Sequence, residues 1–119
     1  MITALLVLVC SGVGAVARFL LDGAIQSRRA VGFPVGTLAV NLGGAFLLGL
    51  LAGLAPPSRL MLVLGTATIG SYTTFSTWMF ESQRPAEDGV PRVARWNIAV
   101  SLGGGLVAVA LGHALGRAL

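Results

Sequence analysis

The sequence predicts an all-α membrane protein, a single domain of four transmembrane helices over residues 1–119. Hydrophobic residues make up 55% of the chain and charged residues only 10%, a composition outside the usual balance of soluble domains. All eight basic residues are arginines, and they leave long arginine-free stretches between them. Because a transmembrane helix needs about 20 mainly apolar residues, these stretches predict helices near residues 2–22, 35–54, 60–80 and 96–116.

The positions of the arginines also predict how the chain is oriented in the membrane. The first and third loops carry Arg28, Arg29, Arg84, Arg92 and Arg95, whereas the second loop and the C-terminus carry Arg59 and Arg117. By the positive-inside rule, the first and third loops are expected to be cytoplasmic and both termini outside. The first segment lacks a basic start, so it is expected to be a retained helix rather than a signal peptide.

Pairs of glycines mark the predicted second and fourth helices. Gly49 and Gly53 form one small-xxx-small pair, and Gly112 and Gly116 form another. Such faces let membrane helices approach closely. They predict seams within the bundle and between subunits, because one four-helix protomer has little interior for an aqueous pathway. The alternative is that a glycine-rich chain produces such pairs by chance.

An uncharged, hydroxyl-rich run interrupts the predicted third helix at residues 70–78, Gly-Ser-Tyr-Thr-Thr-Phe-Ser-Thr-Trp. Within a bilayer, non-helical backbone survives only where it is buried in protein or lines a wet cavity. One interpretation is therefore a broken helix that lines a pathway. The other is an intact helix whose hydroxyls bond back to the preceding turn. These residues alone do not decide between them.

The other polar groups predicted within the membrane favour an anion over a cation. The Asn41 amide, the Ser and Thr hydroxyls and the positive ring edges of Phe75 and Trp78 all offer hydrogen or partial positive charge. Asn97 and Ser101 add a polar stripe on the fourth helix, although each such group can also serve only to join helices. Carbonyls at a helix break could hold a small cation.

Several classes of function are disfavoured by what the sequence lacks. No Asp or Glu lies deep in a predicted span, so a proton-coupled cation exporter loses its expected carboxylate. Without a metal-ligand cluster or a nucleophile with its base, we expect no enzyme. His113 stands alone, as a packing histidine does. A clustered basic face with aromatic residues, the mark of nucleic-acid binding, is also missing.

Four segments in order resemble the Fluc (CrcB-type) fluoride channels. Residues 14–19 are similar to the first-helix motif of that family, and residues 36–49 are similar to the second. Residues 70–78, followed by Glu81, resemble the signature of its broken third helix. Asn97 and Ser101 fall where the family has polar residues in the fourth helix.

This resemblance implies a dual-topology dimer in the cell inner (plasma) membrane, with two antiparallel subunits enclosing two fluoride pathways and exporting cytoplasmic fluoride passively. The fluoride pathway would contain Asn41, Thr74, Phe75, Ser76, Trp78, Asn97 and Ser101. Arg18 would lie near a vestibule. The backbone carbonyls of Gly70 and Thr73 would hold a structural sodium ion at the centre of the dimer.

The sequence departs from the family at two positions: Trp78 replaces the second pore phenylalanine, and Gly105 replaces a frequent hydroxyl residue. The arginine bias of five to two also disfavours insertion in both directions, so the partner could be an oppositely oriented paralogue. Two alternative functions remain. The chain could be a mainly structural subunit of a heterodimeric fluoride channel, or a small proton-coupled cation exporter.

Overall fold

A computed structural model describes residues 1–28 and 32–119, so Arg29, one of the orientation-setting arginines, lies outside the described residues. The predicted all-helical class is confirmed, since no strand occurs in either described range. The helices are α1 (Ile2–Gln26), α2 (Val35–Gly53), α3 (residues 58–72), α4 (Ser76–Glu87) and α5 (Pro91–Ala118).

Within these described ranges, α1, α2 and α5 are the three helices long and apolar enough to cross a membrane. Two of them extend beyond the predicted apolar spans: α1 continues to Gln26, and α5 begins at Pro91. Proline is well tolerated at the start of a helix, where its missing N–H needs no partner. The apolar pattern marks the thickness of the hydrocarbon layer, whereas helical hydrogen bonding continues past it.

The two glycine pairs bring α2 and α5 into the most extensive helix contact of the subunit. A Cβ atom at Gly112 would collide with the carbonyl oxygen of Phe46, and one at Gly49 with that of Val109. Gly53 and Gly116 are similarly occluded by backbone atoms. The prediction of a seam within the bundle is therefore right for these glycines. The predicted seam between subunits stays a prediction.

The third apolar segment is not one regular helix. α3 begins as an α-helix over Ser58–Leu60, continues as a π-helix over Met61–Ile69 and returns to an α-helical turn at Gly70–Tyr72. Thr73 has extended backbone dihedrals, with φ −79° and ψ 160°, and helical structure resumes in α4. π-helical segments are rare and often mark functional sites.

Small residues let the neighbouring helices approach this segment. A Cβ atom at Gly14 of α1 would collide with the Thr68 carbonyl oxygen and the Ser71 hydroxyl. One at Gly44 of α2 would collide with the side-chain methyl group of Thr73. Ser71 and Thr73 therefore lie close to the backbone of the neighbouring helices.

Candidate functional site

Asn41 of α2 holds the non-helical residues in place through two reciprocal hydrogen bonds. Its Nδ2 donates to the Thr74 carbonyl oxygen at 3.0 Å, and its Oδ1 accepts from the Thr74 N–H at 2.8 Å. An amide side chain offers both a donor and an acceptor, so it can satisfy both backbone groups of one residue. This pairing, the Asn41 clamp, removes the cost of leaving those groups unpaired within a membrane.

The clamp has a direct consequence for the end of α3. In a continuing α-helix the Thr74 N–H would donate to the Gly70 carbonyl, but it donates to Asn41 instead. The Thr77 N–H, which would similarly reach the Thr73 carbonyl, donates to the Thr74 hydroxyl at 3.3 Å. The Gly70 carbonyl accepts only a long bond of 3.3 Å from the Thr73 hydroxyl among the described hydrogen bonds. Both carbonyls thus lose their helical donors to side chains.

The predicted polar run also contains the back-bonded hydroxyls of the alternative interpretation. Ser71 Oγ donates to the Ala67 carbonyl at 2.6 Å, and Thr68 Oγ1 donates to the Val63 carbonyl at 2.8 Å. These bonds lie before the non-helical residues. The hydroxyls therefore bond back within α3, and the helical pattern stops after Tyr72. A break that lines a pathway stays a prediction.

An open cavity of about 340 Å³ lies beside the clamp. Polar residues of the predicted site line it, together with apolar residues of α2, α3 and α5: Asn41, Gly44, Ala45, Leu48, Ile69, Gly70, Thr73, Thr74, Phe75, Trp78, Ser101 and Leu102. None of the described residues in this lining carries a charged side chain. Its hydrogen-bonding groups are an amide, hydroxyls, an indole and backbone.

Two aromatic rings shape one side of this cavity. The Phe75 and Trp78 ring centroids are 5.5 Å apart with an interplanar angle of 65°, an edge-to-face arrangement. Phe75 is 72% exposed in the single subunit, so its ring edge is open to a ligand or a second subunit. Trp78 Nε1 is buried and has no hydrogen-bond partner among the described residues.

A chain of hydrogen bonds connects α5 to α4 behind the cavity. Ser101 Oγ donates to Asn97 Oδ1 at 3.4 Å, Asn97 Nδ2 donates to Ser82 Oγ at 2.9 Å, and Ser82 Oγ donates to the Trp78 carbonyl at 2.8 Å. Asn97 is only 1% exposed and does not line the cavity, whereas Ser101 does. Asn97 thus orients the cavity wall from behind.

Ser82 belongs to this chain and was missed in the sequence. It is only 3% exposed. The available signal was its spacing, because a residue four positions after Trp78 lies on the same face of α4.

The remaining predicted site residues lie away from the cavity lining. Ser76 is exposed at the start of α4. Arg18 is half-buried on α1, and its Nε has no partner among the described residues. A second cavity, of about 480 Å³, has Asp22 of α1 and Glu81 of α4 in its lining.

The described residues contain no cluster of three or more His, Cys, Asp or Glu side chains that could hold a metal ion. The oxygens of the main chain and of the amide and hydroxyl side chains are the groups that a cation could use at this site. Carbonyl oxygens are hard ligands, suited to ions without a need for nitrogen or sulfur. The Gly70 and Thr73 carbonyls could serve as such ligands, because the N–H groups that would bind them in a regular helix donate to side chains instead.

The sequence was compared with protein families and with known proteins, and the matches point to the same family. Residues 5–113 match the family described as CrcB-like protein, Camphor Resistance (CrcB). The chain is 52% identical over 107 residues to the Fluoride-specific ion channel FluC 2 of Mycobacterium tuberculosis, covering 90% of this chain and 85% of that protein. It is 51% identical over 106 residues to the FluC 2 protein of Mycolicibacterium paratuberculosis, covering 89% and 87%.

A more distant relative matches almost end to end. The Fluoride-specific ion channel FluC 1 of Frankia casuarinae is 40% identical over 124 residues, covering 97% of this chain and 96% of that protein. The family match spans the clamp, the aromatic pair and the α5 polar residues.

Proposed function

The chain belongs to the CrcB family, and on that premise we propose that it is a subunit of a fluoride-selective channel that lets cytoplasmic fluoride leave passively. The observation that carries the proposal is the cavity beside the Asn41 clamp, which presents hydrogen-bond donors and a ring edge but no charged side chain. Uncharged donors can replace part of the water shell of a small anion without binding it too tightly to leave. A channel of this kind performs no covalent chemistry and is not an enzyme.

Each group of the cavity has a distinct role in this proposal. The Asn41 amide keeps one N–H after its bond to Thr74 and directs it to fluoride, and Phe75 presents its positive ring edge. Thr74, Ser101 and Trp78 continue the wall of the pathway. Ser76 acts at the edge of the pathway, and Asn97 orients its wall through Ser101. Arg18 raises the anion concentration at a vestibule.

We further propose that α3 and α4 together form a fourth, broken span, and that two subunits pack antiparallel. The exposure of Phe75 and Gly70 supports this, since both residues of the candidate site are uncovered in one subunit. A second copy would cover them and complete the pathway. The arginine bias favours a heterodimer with an oppositely oriented paralogue, in which this chain could be the mainly structural subunit. We place the assembly in the plasma membrane.

The cation proposal concerns the Gly70 and Thr73 carbonyls. They lie at the end of a half-helix, where the macrodipole is negative, and their usual donors are bound elsewhere. Two carbonyls are too few to surround a cation, so the site is expected to be shared between subunits. A sodium ion there would supply the positive charge that holds four carbonyl dipoles together and favours nearby anions.

Sodium is therefore expected to stabilise the assembled protein. A ligand that binds only the folded state stabilises it by about 2.7 kcal/mol at a concentration 100 times its Kd. The melting temperature of the purified protein should be several degrees higher in NaCl than in N-methyl-D-glucamine chloride of equal ionic strength. Potassium serves as the control for a non-specific cation effect. Identical melting temperatures in all three salts would exclude the sodium site.

Fluoride resistance in cells tests the proposed function. A bacterial strain without its own fluoride channel should grow at a fluoride concentration that normally arrests it once this chain is expressed. Growth that returns only when an oppositely oriented family member is co-expressed would identify the heterodimer. The proposal fails if neither combination restores growth although both proteins are present in the membrane.

The cation-exporter alternative has less support. Its coupling carboxylate would have to face the transport cavity, and none lines the cavity beside the clamp. Proton-coupled transporters use such intramembrane acids to exchange protons for their cargo. We therefore keep the fluoride channel as the single proposed function.

A further inference from the structure

We propose that the outer face of α5 binds the phosphate headgroup of an anionic phospholipid at Arg92, Arg95 and Trp96. An open groove of about 350 Å³ lies there, lined by these three residues and Ala99. All four are exposed. None of them lines the cavity beside the Asn41 clamp, so this binding site does not depend on the proposed transport function.

The groove has the charge and geometry that a phosphodiester requires. Arg92 and Arg95 are three residues apart on one helix, so their side chains are neighbours. No carboxylate contributes to the lining. Guanidinium groups bind phosphate oxygens through paired, charge-assisted hydrogen bonds. The start of α5 at Pro91 adds the partial positive charge of a helix N-terminus.

The groove also lies at the depth of lipid headgroups if α5 crosses the bilayer. No Arg, Asp or Glu occurs between Trp96 and Gly116, and about 20 helical residues match the roughly 30 Å of hydrocarbon. Trp96 then lies at the membrane interface, where tryptophan is enriched. Arg92, four residues earlier, lies about 6 Å further out. That is the level of the phosphate groups.

Below the groove, the same face of α5 is open and apolar. Ala99, Gly103 and Leu106 follow one another at helical spacing, and Leu106 is 70% exposed. A Cβ atom added at Gly103 would meet nothing within 4 Å. An acyl chain can therefore extend along this face while its phosphate contacts the arginines. Free phosphate would use only the upper part, so a phospholipid is the better occupant.

The test is lipid binding to the purified full chain in detergent, measured by native mass spectrometry with dioctanoyl phosphatidylglycerol and dioctanoyl phosphatidylcholine. We expect about fivefold or greater preference for the anionic lipid, since each basic residue near the headgroups contributes about 1 kcal/mol. The Arg92→Gln/Arg95→Gln variant should lose that preference. Arg117→Gln, at the other end of the same helix, is the matched control and should keep it.

A charge-preserving variant covers the case in which the double glutamine variant does not fold. Arg92→Lys/Arg95→Lys should retain a reduced preference, because lysine keeps the charge but not the paired geometry. Equal binding of both lipids to the wild-type chain would overturn the proposal. So would a preference that the Arg117 control removes equally, or one that millimolar inorganic phosphate abolishes, which would indicate an aqueous anion site.

Discussion

Asn41→Asp is expected to reduce fluoride efflux at least about 100-fold while leaving the chain folded. The substitution exchanges one nitrogen for one oxygen, so the acceptor for the Thr74 N–H remains. The donor to the Thr74 carbonyl is lost, and a negative charge enters the proposed fluoride pathway. Two negative charges about 4 Å apart repel each other by about 4 kcal/mol at an effective dielectric constant of about 20, which corresponds to a more than roughly 100-fold effect on the passage of fluoride.

The measurement is fluoride release from liposomes, followed with a fluoride electrode, together with the elution profile of the purified variant. Gln83→Glu is the matched control, because it makes the same amide-to-acid exchange at an exposed position where the amide donates to Glu87. It should change efflux by less than about twofold. Unaltered efflux in a folded Asn41→Asp protein would remove Asn41 from the pathway.

Gly112→Ala is expected to cause the largest loss of stability among single alanine substitutions of glycine in α5. The new methyl group would collide with the Phe46 carbonyl, a backbone atom that cannot move without displacing α2. Overpacking of this kind costs about 1–3 kcal/mol. Because α2 also carries Asn41, displacement of α2 should weaken the clamp as well as the seam.

The comparison is thermal unfolding of purified variants in one detergent. Gly105→Ala is the matched control on the same helix, since its Cβ would meet no atom within 4 Å. We expect its melting temperature to equal or exceed that of the wild-type protein, as alanine favours helix more than glycine does. Equal melting temperatures for both variants would show that the α2–α5 seam is less tightly packed than the structure indicates.

Composition and charge spacing were sufficient to predict an all-helical membrane protein, and the resemblance to the CrcB family is confirmed by the match over residues 5–113. Both inferences rest on strong signals. Apolar stretches of spanning length without a charged residue are typical of transmembrane helices, and the family segments occur in the same order along the chain. The position of Asn41 within an apolar helix could also be recognised, because a membrane amide must find a partner.

The clamp itself could not be predicted. Asn41 and Thr74 are 33 residues apart, and their contact depends on the approach of α2 to Thr73, which Gly44 permits. A polar side chain as the partner of the amide would have been visible in the sequence. Instead, Asn41 binds the backbone of Thr74, a group that every residue carries and that leaves no mark in a pattern of side chains.

The sequence did not indicate the π-helical stretch, and it gave only helical spacing as a signal for the role of Ser82. A π-helix has no distinct residue signature, and Met61–Ile69 appears in the sequence only as a mainly apolar run. Asn97 was predicted to face the pathway, whereas its Nδ2 donates to Ser82 in the α4–α5 contact. Helical spacing gives the face on which a residue lies but not which neighbour that face meets.

The most direct measurement of the central claim is the rate at which the purified wild-type chain, reconstituted alone or together with an oppositely oriented family member, releases fluoride and chloride from the same liposomes. The account predicts that fluoride leaves within seconds after the membrane potential is collapsed with an ionophore, while chloride remains inside. Equal release of both halides, or cation transport driven by a pH gradient without any fluoride release, would contradict it.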